Sequence, residues 1–181
     1  LERFPDPDLQ RRLARLLKND LARDRQEVVR RYQPSLSLMA DRKHGAALFA
    51  KDCLVCHTVQ GQGGQVGPDL SGLSSRPKTA VLEDILDPSR QVSSDFISYT
   101  VRTVQGDTIT GLIAAETATG VTLRRANQPD ETVLRSQIAE LRAEGKSLMP
   151  DGLEQGLSGQ DMADLLEFLR QPEAALLGKA P

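Results

Sequence analysis

The chain has 181 residues, of which 39% are hydrophobic and 27% charged, with a formal charge of −2; this is the composition of one or two globular domains, not of a disordered segment. No apolar run approaches the roughly 20 residues of a membrane span, and no charged-then-apolar leader opens the chain. A slightly acidic balance argues against nucleic acid as a partner, since that role demands a basic surface.

The sequence opens on Leu1-Glu2-Arg3 without a methionine and reads as a piece of something longer. Residues 1–40 carry nine Lys/Arg against six Asp/Glu, a mild asymmetry of solvated helix faces. Asp6 followed by Pro7 marks a helix start, and Leu9, Leu13, Leu16, Leu17 and Leu21 make one apolar stripe. A second short helix around "DRQEVVRRY" ends before Pro34. Together they predict a helical hairpin extension over residues 1–40, of the kind that closes an upstream repeat array. Its stripe needs a cover, supplied either by the following domain or by a preceding one.

Asp41 is placed to cap a helix through "RKHGAALFAKD", in which Gly45 and Phe49 lie four apart on one face. The only two cysteines follow at once, as Cys53-Leu54-Val55-Cys56-His57, and His44 is the only other histidine. Four chemistries compete for this motif. A structural zinc site needs four ligands, and at most three good ones are present unless a carboxylate joins. A thioredoxin-like redox pair sits where a strand feeds a helix, whereas the residues before Cys53 read as a helix. A disulfide across two intervening residues is strained and leaves His57 without a role. Covalent attachment of haem c uses all three residues: both thiols add to the porphyrin vinyl groups, and the adjacent histidine is held beneath the iron.

Downstream, a glycine-rich loop leads into "GPDLSG", where the backbone must turn tightly. A metal-bound histidine directs its second ring nitrogen at an acceptor, and the Pro68 carbonyl is the candidate; the plain alternative is a turn between helices. Another helix, "KTAVLEDIL", ends at Asp87-Pro88, with Leu82, Ile85 and Leu86 on one side. Residues 95–142 then change character. Alternating and β-branched runs broken by "QGD", "TATG" and "NQPDE" predict three to five antiparallel strands, a small sheet or partial barrel. Its expected role is to shield one haem edge, with docking of an electron partner as the alternative. The proline- and glycine-bounded loop "GKSLMPDGLEQGLS" precedes a last helix. That helix starts at a capping box formed by Ser158 and Asp161, runs through "DMADLLEFLR" and stops at Pro172.

"GAALFAKDCLVCHTV" followed by "GPDLSG" resembles the N-terminal half of a class I cytochrome c. With the strand-rich segment, "DILDPS" and "SLMPDGLEQGLS", the pattern narrows to the haem-binding domain of the Planctomycetes and Verrucomicrobia type, covering 43 to about 171. The resemblance implies a mainly α cytochrome c fold over 41–181, interrupted by an inserted antiparallel β module at about 95–142 and preceded by the helical extension. It implies that Gly45 and Phe49 on the first helix pack against the last helix near Phe168, and that one covalent haem c is bound. The implied haem-binding set is Cys53, Cys56, His57, Pro68, Leu70 and Met149, with His57 and Met149 on the metal.

Among the three methionines, Met39 precedes the haem helix and Met162 sits in the apolar stripe of the last helix. Met149 lies in the loop directly upstream, and its plain alternative is a loop anchor. His44 is taken as a surface histidine. No catalytic residue is assigned. The implied function is electron transfer, with a redox partner protein or fused dehydrogenase as donor, in an exported, extracytoplasmic and periplasmic setting. The alternative is a haem enzyme or gas sensor with a displaceable sixth ligand.

Overall fold

The computed structural model describes residues 24–177. The first helix of the expected hairpin, with its leucine stripe at Leu9 to Leu21, lies outside the described residues. The described chain begins in a helix, α1 (24–32), which passes into a 3₁₀ segment, Gln33–Ser37, carrying Pro34 in its first turn. Then come α2 (Arg42–Asp52), α3 (Lys78–Leu86) and, after the sheet region, α4 (Gly159–Arg170).

Local chemistry accounts for the helix limits. The Asp41 side chain accepts from the Lys43 and His44 backbone N–H groups at the start of α2. Ser158 and Asp161 exchange side-chain and backbone hydrogen bonds as a capping box at the start of α4. Helices α2 and α4 cross at Gly45, where a Cβ would stand 2.0 Å from the Asp164 carbonyl oxygen. Only hydrogen fits there. One turn further along, Phe49 and Phe168 pack with ring centroids 5.4 Å apart and planes tilted by 46°. Both rings are fully buried, which contributes about 2 kcal/mol each. Leu82 and Leu86 of α3, Met162, Leu165, Leu166 and Leu169 of α4, and Tyr32 of α1 complete this helical core. Val28 and Val29 pack against it, so α1 shares the core of α2–α4.

Two short strands, β1 (Thr58–Val59) and β2 (Gln62–Gly63), form a hairpin directly after His57. Gln60 and Gly61 turn it with φ of +49° and +77°, the positive pair that a two-residue hairpin turn requires. Five longer strands follow: β3 (Ile97–Thr103), β4 (Thr108–Glu116), β5 (Gly120–Arg124), β6 (Glu131–Leu134) and β7 (Ile138–Ser147). All pair antiparallel, in the spatial order β6-β5-β4-β3-β7. Strands β6 and β7 occupy opposite edges yet are joined only by Arg135–Gln137. Four residue steps reach at most about 14 Å, whereas the edges of a flat five-stranded sheet are about 19 Å apart. The sheet must therefore curl toward closure. Its interior is a second core, Val101, Val121, Leu123 and Val133, flanked by Ile109, Ile113, Ile138 and Leu141.

The expectation of a mainly α fold is too narrow. The strands occupy about as much of the described chain as the α-helices do, because the alternating runs after residue 95 build a sheet with a core of its own.

Candidate functional site

The end of α2 delivers the cysteines. Cys53 is its C-cap, and its carbonyl accepts from the N–H groups of Cys56 (3.0 Å) and His57 (2.9 Å), which winds all three residues into one turn. The following loop is laced back onto that turn: the Cys56 carbonyl accepts from Val66 and Gly67, Thr58 from Leu70, and Leu54 from Gly64. The His57 Nδ1 lies 2.9 Å from the Pro68 carbonyl. A carbonyl only accepts, so Nδ1 carries the hydrogen and Nε2 is left as the bare, ligating nitrogen. Burial lowers the His57 pKa against the opposing Pro68 bond, which keeps the ring neutral near pH 7. Gly67 flanks the imidazole so closely that a Cβ would come within 2.4 Å of its Cε1.

Both thiols are free. Burial, with Asp52 adding to it, pushes the Cys53 thiol up to about 12, and burial also raises Cys56. A redox dithiol needs the reverse, a lowered pKa, and a strand in front of it; helix α2 stands there instead. Among the described residues, no three of His, Cys, Asp and Glu come together as a cluster able to hold a metal ion by themselves.

Beside His57 lies a narrow apolar crevice. Phe49, Cys53, His57 and Leu70 line it from the α2 side, Ile85 from α3, Met149, Leu153 and Leu157 from the loop after β7, and Leu165 and Leu169 from α4. Four residues of the expected set, Cys53, His57, Leu70 and Met149, thus share one cavity wall. Pro68 serves it through its carbonyl, and Cys56 stands in the turn between Cys53 and His57. Of the other methionines, Met39 is 93% exposed and Met162 is fully buried in the helical core.

The residues fit a haem c: two unionised thiols one turn apart, a neutral imidazole with one nitrogen free, a thioether on the same crevice and otherwise apolar walls. No residue of β3 to β7 lines the crevice. The sheet reaches it through the end of β7, where the Ser147 hydroxyl accepts from the Met149 N–H at 3.0 Å. A separate cleft beside the cysteine turn is lined by Leu54 and Val55 together with Arg124 of β5 and Asp130 before β6, so the strands stand next to the cysteine motif without entering this crevice.

Comparison with known proteins bears on the same segment. Residues 43–109 match the family model described as cytochrome c. A cytochrome c from Arabidopsis thaliana is 45% identical over 47 residues, which is 25% of this chain and 42% of that relative. The chain thus spans less than half of the length of this curated relative. These likenesses support a class I c-type cytochrome, a family that implies covalent haem c on the Cys53-x-x-Cys56-His57 motif. The family match ends at residue 109, so Met149 and α4 lie beyond it.

Sequence reasoning missed Gly67 as the wall of the imidazole, the β1–β2 hairpin, and the partners of the loop after β7. The first two left a signal, the glycine-rich run from Gly61 to Gly67. The last left none, because its partners lie more than 100 residues away.

Proposed function

We propose that this chain is a one-electron carrier, a c-type cytochrome unit with haem c joined through thioethers at Cys53 and Cys56 and its iron held by His57 and Met149. One observation supports this most: an imidazole tied at Nδ1 by Pro68 and a methionine sulfur line the same apolar crevice. When bound, haem supplies reversible exchange between ferrous and ferric iron.

The chain's own residues serve that exchange by holding still. Pro68 fixes the imidazole plane, the Leu and Phe walls exclude water, and the thioether, a soft and neutral ligand, favours the ferrous state and so raises the potential. Among the described residues, Asp52 is the titratable side chain that joins Cys53 and His57 on the crevice wall. It lies at the rim beside Lys51, 3.6 Å from its ammonium group. The donor is a partner protein or a fused dehydrogenase, and the setting is extracytoplasmic and periplasmic, where haem c is attached. Among the described residues, no helix is long and apolar enough to cross a membrane.

Mass spectrometry and absorption spectra test the reading. One covalent haem per chain, absent in the Cys53→Ala/Cys56→Ala variant, and a far-red sulfur-to-iron charge-transfer band in the ferric form, lost in Met149→Ala, are the expected results. A chain without covalent haem, or a ferric spectrum that Met149→Ala leaves as it was, overturns it.

A further inference from the structure

The loop that carries Met149 has two faces. Met149, Leu153 and Leu157 point into the crevice. Glu154, on the opposite face of the 3₁₀ turn Leu153–Gly156, is only 2% exposed and meets helix α1. Arg25 of α1 grips it with both arms, Nη2 to Oε1 at 2.9 Å and Nη1 to Oε2 at 3.3 Å. The Arg25 Nη1 also donates to the Leu86 carbonyl at the end of α3, at 3.2 Å. About two helical turns further on along the same face, the Tyr32 hydroxyl lies 2.8 Å from the Glu154 carbonyl and 2.5 Å from that of Leu157, and can donate its hydrogen to either. Arg31 covers the Tyr32 ring at 5.5 Å.

We propose that Arg25, Tyr32 and Glu154 are positioning residues for the sixth ligand: helix α1 clamps the Met149 loop from behind and holds its sulfur on the crevice. The proposal rests on the ligand assignment made above.

The physical case runs through what each contact costs to break. A two-armed guanidinium–carboxylate pair fixes orientation as well as distance, and Arg25 is itself only 16% exposed. Burial alone pushes the Glu154 carboxyl up, but the bonds from Arg25 outweigh this and hold it below its ordinary value, so it stays ionised. Removing one partner strands the other charge in a dry site, and the loop must swing outward to rehydrate it. Among the described residues, the loop's other polar tie to a neighbouring element is Ser147, at the Met149 end. Opening of the loop is therefore governed by a helix that precedes the cysteine motif in the chain.

The test uses the full-length holoprotein. Carbon monoxide enters the reduced protein only when the sulfur leaves, so its association rate reads the open fraction. Arg25→Met and Glu154→Gln are expected to raise that rate about tenfold over the parent, in proportion to the open population, and to weaken the far-red band. Backbone amides of residues 153–157 should exchange faster in both variants, and Tyr32→Phe should give a smaller change of the same sign. Leu82→Ala, in the helical core and off the crevice wall, should lower the melting temperature without these effects. Glu154→Gln is nearly isosteric and keeps the test available should Arg25→Met not fold. If the variants melt lower but bind carbon monoxide within about twofold of the parent, with the band and loop exchange unaltered, the clamp is merely structural and the proposal is overturned. If instead the parent protein lacks the band and Met149→Ala changes nothing, the ligand assignment itself has failed.

Discussion

The His57 imidazole packs face to face with the backbone at Gly67. A Cβ at Gly67 would stand 2.4 Å from Cε1 and 2.6 Å from Nδ1 of that ring, far inside van der Waals contact, so a methyl there must turn the imidazole away from the Pro68 carbonyl. Gly67→Ala is expected to cost the holoprotein about 1–3 kcal/mol, the usual penalty of overpacking, and to perturb the haem spectrum because the second ring nitrogen loses its acceptor. Denaturant unfolding and absorption spectra check this together; unchanged values for both would show that the loop swings aside freely. The run "GQGGQVGPDL" announces a glycine-rich turn in the sequence, and nothing along the chain distinguishes Gly67 from its neighbours. The distinction arises only once the loop folds back and Gly67 donates to the Cys56 carbonyl.

At the scale of elements, the α2/α4 crossing does more than bring Phe49 to Phe168. Asp164 is buried at the crossing and accepts from the Asp41 N–H at 2.7 Å, the Gln160 amide at 2.8 Å and the His44 ring at 2.8 Å. His44, expected as a surface histidine, does show its ring to solvent, but it also ties two helices together. The bond to Asp164 raises the His44 pKa above 6.5. Burial pushes Asp164 up, yet the bonds from His44, the Asp41 backbone and Gln160 outweigh it and hold the carboxyl below 3.8. A raised histidine contributes its stability fully below about pH 6.5 and loses it as pH climbs through the folded value. A depressed carboxyl contributes above about pH 3.8 and loses it as pH falls through the folded value. The tie is therefore strongest between those limits. The stability difference between the parent and His44→Gln should shrink as pH rises from about 5.5 to about 8.5. Thermal melts across that range measure it, and a difference that does not vary with pH would show that the contact is electrostatically inert.

For the molecule as a whole, the helical core and the sheet interior are separate clusters, and β7 leads directly into the Met149 loop. Two cores joined at few points should open separately. Leu123→Ala, in the sheet interior, is expected to cost about 2–5 kcal/mol, seen as faster amide exchange in β4, β5 and β6 with α2 and α4 unaffected. Exchange rising in step in both halves would show one cooperative unit. Helix α1 belongs to the helical side of this division, since Tyr32, Val28 and Val29 lie on the core of α2–α4. The helix signals and the resemblance that divide 1–40 from 41–181 left open whether the extension packs on the following domain, and α1 does so through these residues.

The sequence by itself determined what depends on residues within a turn or two of one another. The ends of α2 and α4 follow from Asp41 and from Ser158 with Asp161, the end of α3 from Asp87-Pro88, and the spacing of Cys53, Cys56 and His57 from one helical turn. The strand-rich character of residues 95–142 is likewise written in its alternation. Only the tertiary structure decided that His57 and Met149 face one crevice, that the sheet curls because a three-residue link joins its two edges, and that Arg25 reaches Glu154 across 129 positions. Caps and turns are short-range steric and hydrogen-bond choices made by neighbouring residues. Pairings between distant side chains depend on how helices cross, and the close fit at Gly45 sets that crossing in three dimensions.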